Sequence, residues 1–292
     1  MKKRVIFKGV GTALITPFCD GEIDYEALDL LIERQIAAKI DALVIGGTTG
    51  EAATLSDRER YELYRHSIDR VAGRCPVILG TGTNDTRVAI RHTQMAEELG
   101  ADGALVVTPY YNKGTEQGLC DHYAAIAEAV GLPIILYNVP SRTGVSIPIS
   151  RLERLARVEN IVGIKEASDS ADRLVKISAL GEELPLYAGN DSQTYTALAL
   201  GGVGVISVVS NLCPEKMRRI SESYLAGRAD EARAAQTELL PLIDAMFLET
   251  NPAPVKYALS RLGLCREEMR LPMTAVGDAT RGAIEKLMSC GG

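Results

Sequence analysis

Eight short apolar runs punctuate the chain. They read VGTALI (10–15), ALVIG (42–46), PVILG (76–80), GALVVT (103–108), PIILYN (133–138), IVGIK (161–165), PLYAG (185–189) and GVISV (204–208). They are rich in Val, Ile and Leu and lack strict apolar–polar alternation, the pattern of strands covered on both faces. Between them lie stretches such as YEALDLLIERQIAAK, TRVAIRHTQMAEELG and PEKMRRISESYLAG, in which apolar residues recur at three and four positions. That period predicts amphipathic helices. Several end on glycine, the common helix stop. Ser56, three residues before Glu59, forms a capping-box signature. Eight strand–helix units in succession predict an α/β protein with a (β/α)₈ TIM-barrel fold. A doubly wound sheet is the alternative, but its fingerprint is missing. Gly202-Val203-Gly204 lacks the third glycine, and no G-K-[ST] occurs. After residue 226 the strand pattern stops, and three helical stretches follow: ADEARAAQTELLPLIDAMFLE, PAPVKYALSRLG and VGDATRGAIEKLMSC. The expected organisation is therefore a barrel domain over 1–228 and a small all-helical region over 229–292 packed on it.

Composition narrows the function classes. The chain has 292 residues, with 46% hydrophobic and 24% charged. That is the balance of a globular protein whose core is large enough to need no disulfide staples. Its net charge of −6 argues against nucleic acid as a partner, because phosphate neutralisation requires clustered Lys and Arg. The six cysteines, at 19, 75, 120, 213, 265 and 290, form no C-x-x-C pair. They read as scattered thiols of a reducing compartment rather than a zinc or redox site. All three histidines, His66, His92 and His122, fall inside helical stretches. No metal site and no cofactor are expected. The opening MKKRVIFKGVGTALITP has no apolar core of a signal peptide, so a cytoplasmic location is expected. The uncharged segment between Asp191 and Glu215 breaks at Gly201, Gly202 and Gly204. It reads as a buried helix, a turn and a buried strand rather than a membrane span.

In a barrel of this kind chemistry is built at the C-terminal ends of the strands. There the sequence places Gly46-Gly47-Thr48-Thr49-Gly50-Glu51, Thr108-Pro109-Tyr110-Tyr111-Asn112, Tyr137-Asn138-Val139-Pro140-Ser141-Arg142, Lys165-Glu166 and Gly189-Asn190-Asp191. Lys165 closes an otherwise apolar strand. Burial strips hydration from its ammonium and favours the neutral amine, a nucleophile toward carbonyl carbon. The other reading is a strand-end lysine that pairs with Glu166 or reaches out to water. The Gly-Gly-Thr-Thr-Gly run either cradles a carboxylate on N–H and hydroxyl groups or is a simple turn. Arg142, after Pro140 in a loop expected to be extended, either forks onto a carboxylate or lies on the surface. Tyr110, Tyr111 and Tyr137 either pack the barrel rim or relay protons.

Nine colinear runs between Gly9 and about Leu262 carry a resemblance. They are GTALITPF (11–18), GGTTGEAATL (46–55), GTGTN (80–84), VVTPYYNK (106–113), YNVPSRTG (137–144), GIKEAS (163–168), GND (189–191), GVISV (204–208) and NPAPVKYAL (251–259). Together they resemble the dihydrodipicolinate synthase family, within the pyruvate-dependent class I lyases that also include N-acetylneuraminate lyase. The resemblance implies a metal-free condensation of pyruvate with L-aspartate 4-semialdehyde through a lysine imine, giving 4-hydroxy-tetrahydrodipicolinate. Lys165 would form the imine and Tyr137 would be the adjacent acid/base. Thr48, Tyr111 and Tyr137 would form a proton relay, with Tyr111 supplied across a subunit interface. Thr48 and Thr49 would hold the pyruvate carboxylate, and Arg142 the carboxylate of the semialdehyde. Gly189 and Ile206 would line the pocket.

The implied assembly is a homotetramer, a dimer of dimers. Two alternatives are a sister aldolase acting on sialic or 2-keto-3-deoxy sugar acids, and a non-catalytic keto-acid-binding barrel. Arg142 argues against the first, and the full Lys165–Tyr137–Tyr111–Thr48 set against the second. The resemblance also bears on feedback. Asn84 and Tyr110 match the cleft where sensitive members bind lysine, whereas Ala52, Asp57, Arg60 and Val88 depart from it. Insensitivity to lysine is the expectation.

Overall fold

The structure is a computed structural model that describes residues 2–289. Cys290 lies outside the described residues. Eight parallel strands close into a barrel: β1 Gly9–Ala13, β2 Ala42–Ile45, β3 Val77–Gly80, β4 Gly103–Val107, β5 Ile134–Asn138, β6 Ile161–Glu166, β7 Leu186–Ala188 and β8 Gly204–Ser207. Each pairs with its successor, and β8 returns to β1 with Gly204 opposite Gly9. The crossovers are α1 Tyr25–Ala37, α2 Asp57–Val71, α3 Thr86–Glu98, α4 Glu116–Glu128, α5 Ile149–Leu155, α6 Ala171–Ser178, α7 Thr194–Ala199 and α8 Pro214–Leu225. The (β/α)₈ expectation is borne out.

Two cores explain why the strand sequences do not alternate. Ala42, Val44, Ile78, Leu105, Ile135 and Ile206 point into the barrel and pack with Phe7 and Tyr187. Leu43, Ile45, Leu79, Val106, Leu136 and Ile164 point outward against the helices. Both faces are dry, so both are apolar. Phe7 plugs the N-terminal end, its ring 4.6 Å from that of Tyr187, whose hydroxyl donates to the Phe7 carbonyl at 2.9 Å.

The helix signals act as expected at α2. The Ser56 hydroxyl accepts from the Glu59 N–H, and the Glu59 carboxylate accepts from the Ser56 N–H at 2.9 Å. Two features differ from the sequence reading. Phe18–Cys19 and Glu22–Ile23 form a small antiparallel ribbon, too short for any periodicity to reveal. The segment around Arg142 is a helical turn, Pro140–Thr143, rather than an extended loop. Proline restrains the residue before it, and Val139 is indeed non-helical at φ −144°. Pro140 itself sits at the first helical position, where its fixed φ and missing N–H cost nothing.

Beyond the barrel lie α9 Ala229–Ala245, α10 Ala253–Arg261 and α11 Asp278–Ser289. α9 packs on α8, and α11 packs on α9 and α10. Their buried residues Leu239, Ile243, Met246, Val255, Leu259 and Ile284 belong to the same cluster as the outward-facing strand residues. Between α10 and α11 the chain folds back over the β2–α2 loop. There Arg270 donates to the Thr54 carbonyl and pairs with Glu59 of α2, while Glu268 accepts from the N–H groups of Asp20 and Gly21 in the turn of the antiparallel ribbon. No helix among the described residues is long and apolar enough to cross a membrane.

Candidate active site

The register of two neighbouring strands builds the centre. On β5 and β6, Tyr137 lies opposite Lys165 and Asn138 opposite Glu166. Successive side chains of a strand point to opposite faces, so the first pair enters the barrel mouth and the second faces the helices. Lys165 is 4% exposed and Tyr137 6%, and Nζ of Lys165 lies 4.4 Å from the Tyr137 ring centroid. Glu166 is fully buried outside the barrel. It accepts from Arg173 Nε at 2.8 Å and from Asn138 Nδ2 at 2.9 and 3.1 Å. The reading in which Lys165 pairs with Glu166 is therefore excluded: that carboxylate already has its partners.

Lys165 opens into a cavity of about 300 Å³ that Thr49, Tyr137, Arg142, Gly189, Asp191 and Asn251 help to line. A second cavity, of about 470 Å³, adjoins it. Tyr137, Val139, Arg142 and Asn251 line both, and Thr48 and Tyr110 line the larger one. The two threonines thus flank the lysine from neighbouring cavities. Their loop needs its glycines. Gly46 has φ +63°, and a Cβ there would stand 2.6 Å from the Tyr64 ring. At Gly189 a Cβ would come within 2.5 Å of the Ala167 Cβ, and both residues line the lysine cavity.

Asn251, in the turn before α10, holds two of these groups. Its Nδ2 donates to Thr49 Oγ1 at 2.9 Å, and its carbonyl accepts from Arg142 Nη2 at 3.0 Å. Arg142 is exposed and keeps the rest of its guanidinium toward the cavities. Glu51 anchors the other end of the threonine loop. It adopts the left-handed conformation at φ +52° and pairs with the fully buried Lys256 of α10.

Two residues with an assigned role lie apart. Tyr111 is 90% exposed, has φ +71° and lines neither cavity. Ile206 is fully buried in the barrel interior with Tyr137 rather than on the cavity wall, where Val208 stands instead. Conversely, Asn251 and Asp191 line the lysine cavity although the sequence reading gave them no role. Asn251 was visible only within the NPAPVKYAL run, and Asp191 only as the end of the GND run.

The larger cavity continues past Ala52, Asp57, Arg60 and His92. Arg60 is buried and donates to the Tyr64 hydroxyl and to the carbonyls of Gly80 and Ala52. Asp57 Oδ1 lies 3.0 Å from His92 Nε2. That bond draws the Asp57 carboxyl below its ordinary range, while burial lowers the His92 imidazole. Among the described residues no three His, Cys, Asp or Glu side chains converge as a metal-binding group would.

The family model described as the dihydrodipicolinate synthetase family matches residues 6–290. The chain belongs to that family. A 4-hydroxy-tetrahydrodipicolinate synthase from Syntrophus aciditrophicus is 48% identical over 284 residues, 97% of this chain and 98% of the relative. The crystal structure of dihydrodipicolinate synthase from Thermotoga maritima superposes with a TM-score of 0.96 at 41% identity, covering 98% of each chain. The chloride-inhibited enzyme from Acinetobacter baumannii, complexed with pyruvate, gives 0.95 at 41% identity and covers 98% of each chain. This member is an enzyme of the same type, with the barrel architecture of its structural neighbours.

Proposed function

We propose that the chain condenses pyruvate with L-aspartate 4-semialdehyde to 4-hydroxy-tetrahydrodipicolinate, with Lys165 as the imine-forming residue. The observation that carries this reading is the pairing of Lys165 with Tyr137 in a buried cavity at the C-terminal barrel mouth. The neutral amine attacks the keto carbon of pyruvate. The carbinolamine loses water, and a cationic imine remains. A proton leaves the methyl carbon and the electron pair moves into the imine, giving an enamine. The enamine carbon attacks the aldehyde, whose oxygen takes up a proton. The amine of the second substrate then closes on the imine carbon and displaces Lys165.

The Tyr137 hydroxyl is the acid and base for these transfers, in relay with Thr48. The threonine pair receives the pyruvate carboxylate, supported by the Asn251 bond to Thr49. Arg142, at the rim shared by both cavities, receives the carboxylate of the semialdehyde. A sugar-acid substrate would present hydroxyls there, so Arg142 favours the synthase reading over a sister aldolase.

We infer a homotetramer of paired dimers in which a second copy completes the relay with Tyr111. The supporting observation is that this tyrosine projects outward, 90% exposed, from a single chain. A cytoplasmic location goes with this reading. The test is a steady-state assay on the purified chain with pyruvate and either aspartate semialdehyde or 2-keto-3-deoxy sugar acids. Turnover only with the semialdehyde supports the proposal. Turnover only with sugar acids refutes it.

A further inference from the structure

The reaction fixes a positive charge on Nζ of Lys165. Imine formation joins Nζ of neutral Lys165 to the keto carbon, consumes one proton and releases the keto oxygen as water. The product is a cationic C=N bond on a side chain that is only 4% exposed. A charge desolvated in this way needs an opposing charge close by.

The carboxylates around the cavity differ in what they can offer. Asp169 and Asp244 are exposed at its rim, where water screens them. Glu166 is buried but committed to Arg173 and Asn138 on the far side of the strand. Asp191 is 1% exposed and lines the cavity together with Lys165. Its Oδ2 accepts from the N–H groups of Val208 and Val209 at 3.0 and 3.3 Å. Its Oδ1 is buried and has no hydrogen-bond partner in the protein. A buried carboxylate oxygen without a partner is uncommon, because the desolvated group costs free energy.

We propose that Asp191 is the counter-ion of the Lys165 imine, a positioning residue that acts through its field on the adduct and exchanges no bond with it. One oxygen ties the carboxylate to the β8 loop, and the other is left for the charge that arises during turnover. Burial pushes the Asp191 carboxyl up, opposed by the neighbouring Ser207 hydroxyl, by the bonds from Val208 and Val209 and by the nearby Lys165. The cationic adduct reinforces that last influence. A purely structural Asp191 would need only its loop bonds, and an asparagine would supply them.

The inference rests on Lys165 forming the imine, so the test reads both. The chain is incubated with graded pyruvate, reduced with borohydride and analysed by peptide mass spectrometry, as the unaltered enzyme, Asp191→Asn and Ser207→Ala. In Asp191→Asn, half-saturating pyruvate for adduct formation rises roughly ten- to a hundredfold. That is the size of one unit charge acting over roughly 6–12 Å at an effective dielectric constant of about 20. The KM for the semialdehyde and the unfolding midpoint stay as in the unaltered enzyme. Ser207→Ala, which keeps the Asp191 charge and removes only a neighbouring hydroxyl, forms the adduct within about twofold of normal. Equal half-saturation in Asp191→Asn, or an equal loss in Ser207→Ala, overturns the assignment. So does an Asp191→Asn chain that cannot fold, since the carboxylate would then belong to the scaffold. Absence of an adduct at Lys165 in the unaltered enzyme removes the imine reading itself, and this inference with it.

Discussion

Replacing Lys256 by methionine is expected to separate what its ion pair does for stability from what it does for the site. The side chains of Lys256 and Glu51 are 0% and 3% exposed. Lys256 also donates to the Glu268 carbonyl at 2.7 Å, and its Nζ lies 4.3 Å from the Phe18 ring centroid. The Arg270 guanidinium lies 4.5 Å from the same ring. Glu51 Oε2 accepts from the Arg270 N–H at 3.1 Å. Lys256→Met leaves Glu51 as a buried anion with that single donor. Breaking a buried pair from one side costs about 3–5 kcal/mol, a large part of the ~5–15 kcal/mol that holds a domain folded. The double variant Glu51→Leu/Lys256→Met has no stranded charge, so its loss is well below the sum of the singles, with a coupling of about 2 kcal/mol or more. Function should follow differently. Glu51 ends the loop that carries Thr48 and Thr49, so the double variant regains stability but keeps a raised KM for pyruvate. Equilibrium urea unfolding and pyruvate kinetics on all four chains provide the assay. A Lys256→Met loss below about 1 kcal/mol, or additive singles, would refute the reasoning about the pair. A normal pyruvate KM in the double variant would refute its link to the loop.

Other perturbations test other parts of the molecule. Arg142→Ala should raise the KM for aspartate semialdehyde far more than that for pyruvate, by about ten- to a hundredfold for a lost charge-assisted pair worth ~1.5–3 kcal/mol; equal effects on both would make Arg142 structural. Millimolar L-lysine should leave activity nearly unchanged. Arg60 puts a cation in the cleft wall, and the Asp57 carboxylate shares one oxygen with His92 while its side chain is 73% exposed, so an added amine finds no desolvated anion there; half-inhibition below about 1 mM, roughly 4 kcal/mol of binding, would contradict this. His122 sets a pH dependence. Burial lowers its imidazole from 6.5 to about 4, so as pH falls through that window the unfolded chain takes up a proton that the folded chain refuses. Stability should therefore drop by up to about 3 kcal/mol, and His122→Gln should flatten that part of the urea-derived profile; an unchanged slope would contradict it.

Much of this site was legible before any coordinates. The apolar runs reveal the strands because both faces are dry; the strand ends then place Lys165, Tyr137 and the threonine pair at the barrel mouth, and the family resemblance alone suggests their roles. The sequence could not say which way a strand-end side chain points. Lys165 and Glu166 are adjacent, yet strand alternation sends one into the mouth and the other out to Arg173. Nor could periodicity reach residues that converge from distant turns. Asn251 joins Thr49 across 202 positions, and Asp191 accepts from Val208 and Val209, 17 and 18 positions on. Pro140 misled for a local reason: it begins a helical turn rather than extending a loop. Tyr111 illustrates a different limit: it is 90% exposed and lines neither cavity, and the role proposed for it requires a second copy.

The most direct test of the account is borohydride reduction of the chain with pyruvate, followed by peptide mapping, on the unaltered enzyme beside Lys165→Ala and Lys165→Arg. The account predicts one reduced pyruvate adduct, on the peptide bearing Lys165, and none in either variant, because alanine has no amine and guanidinium stays protonated. A single-site adduct that persists in Lys165→Ala would contradict it.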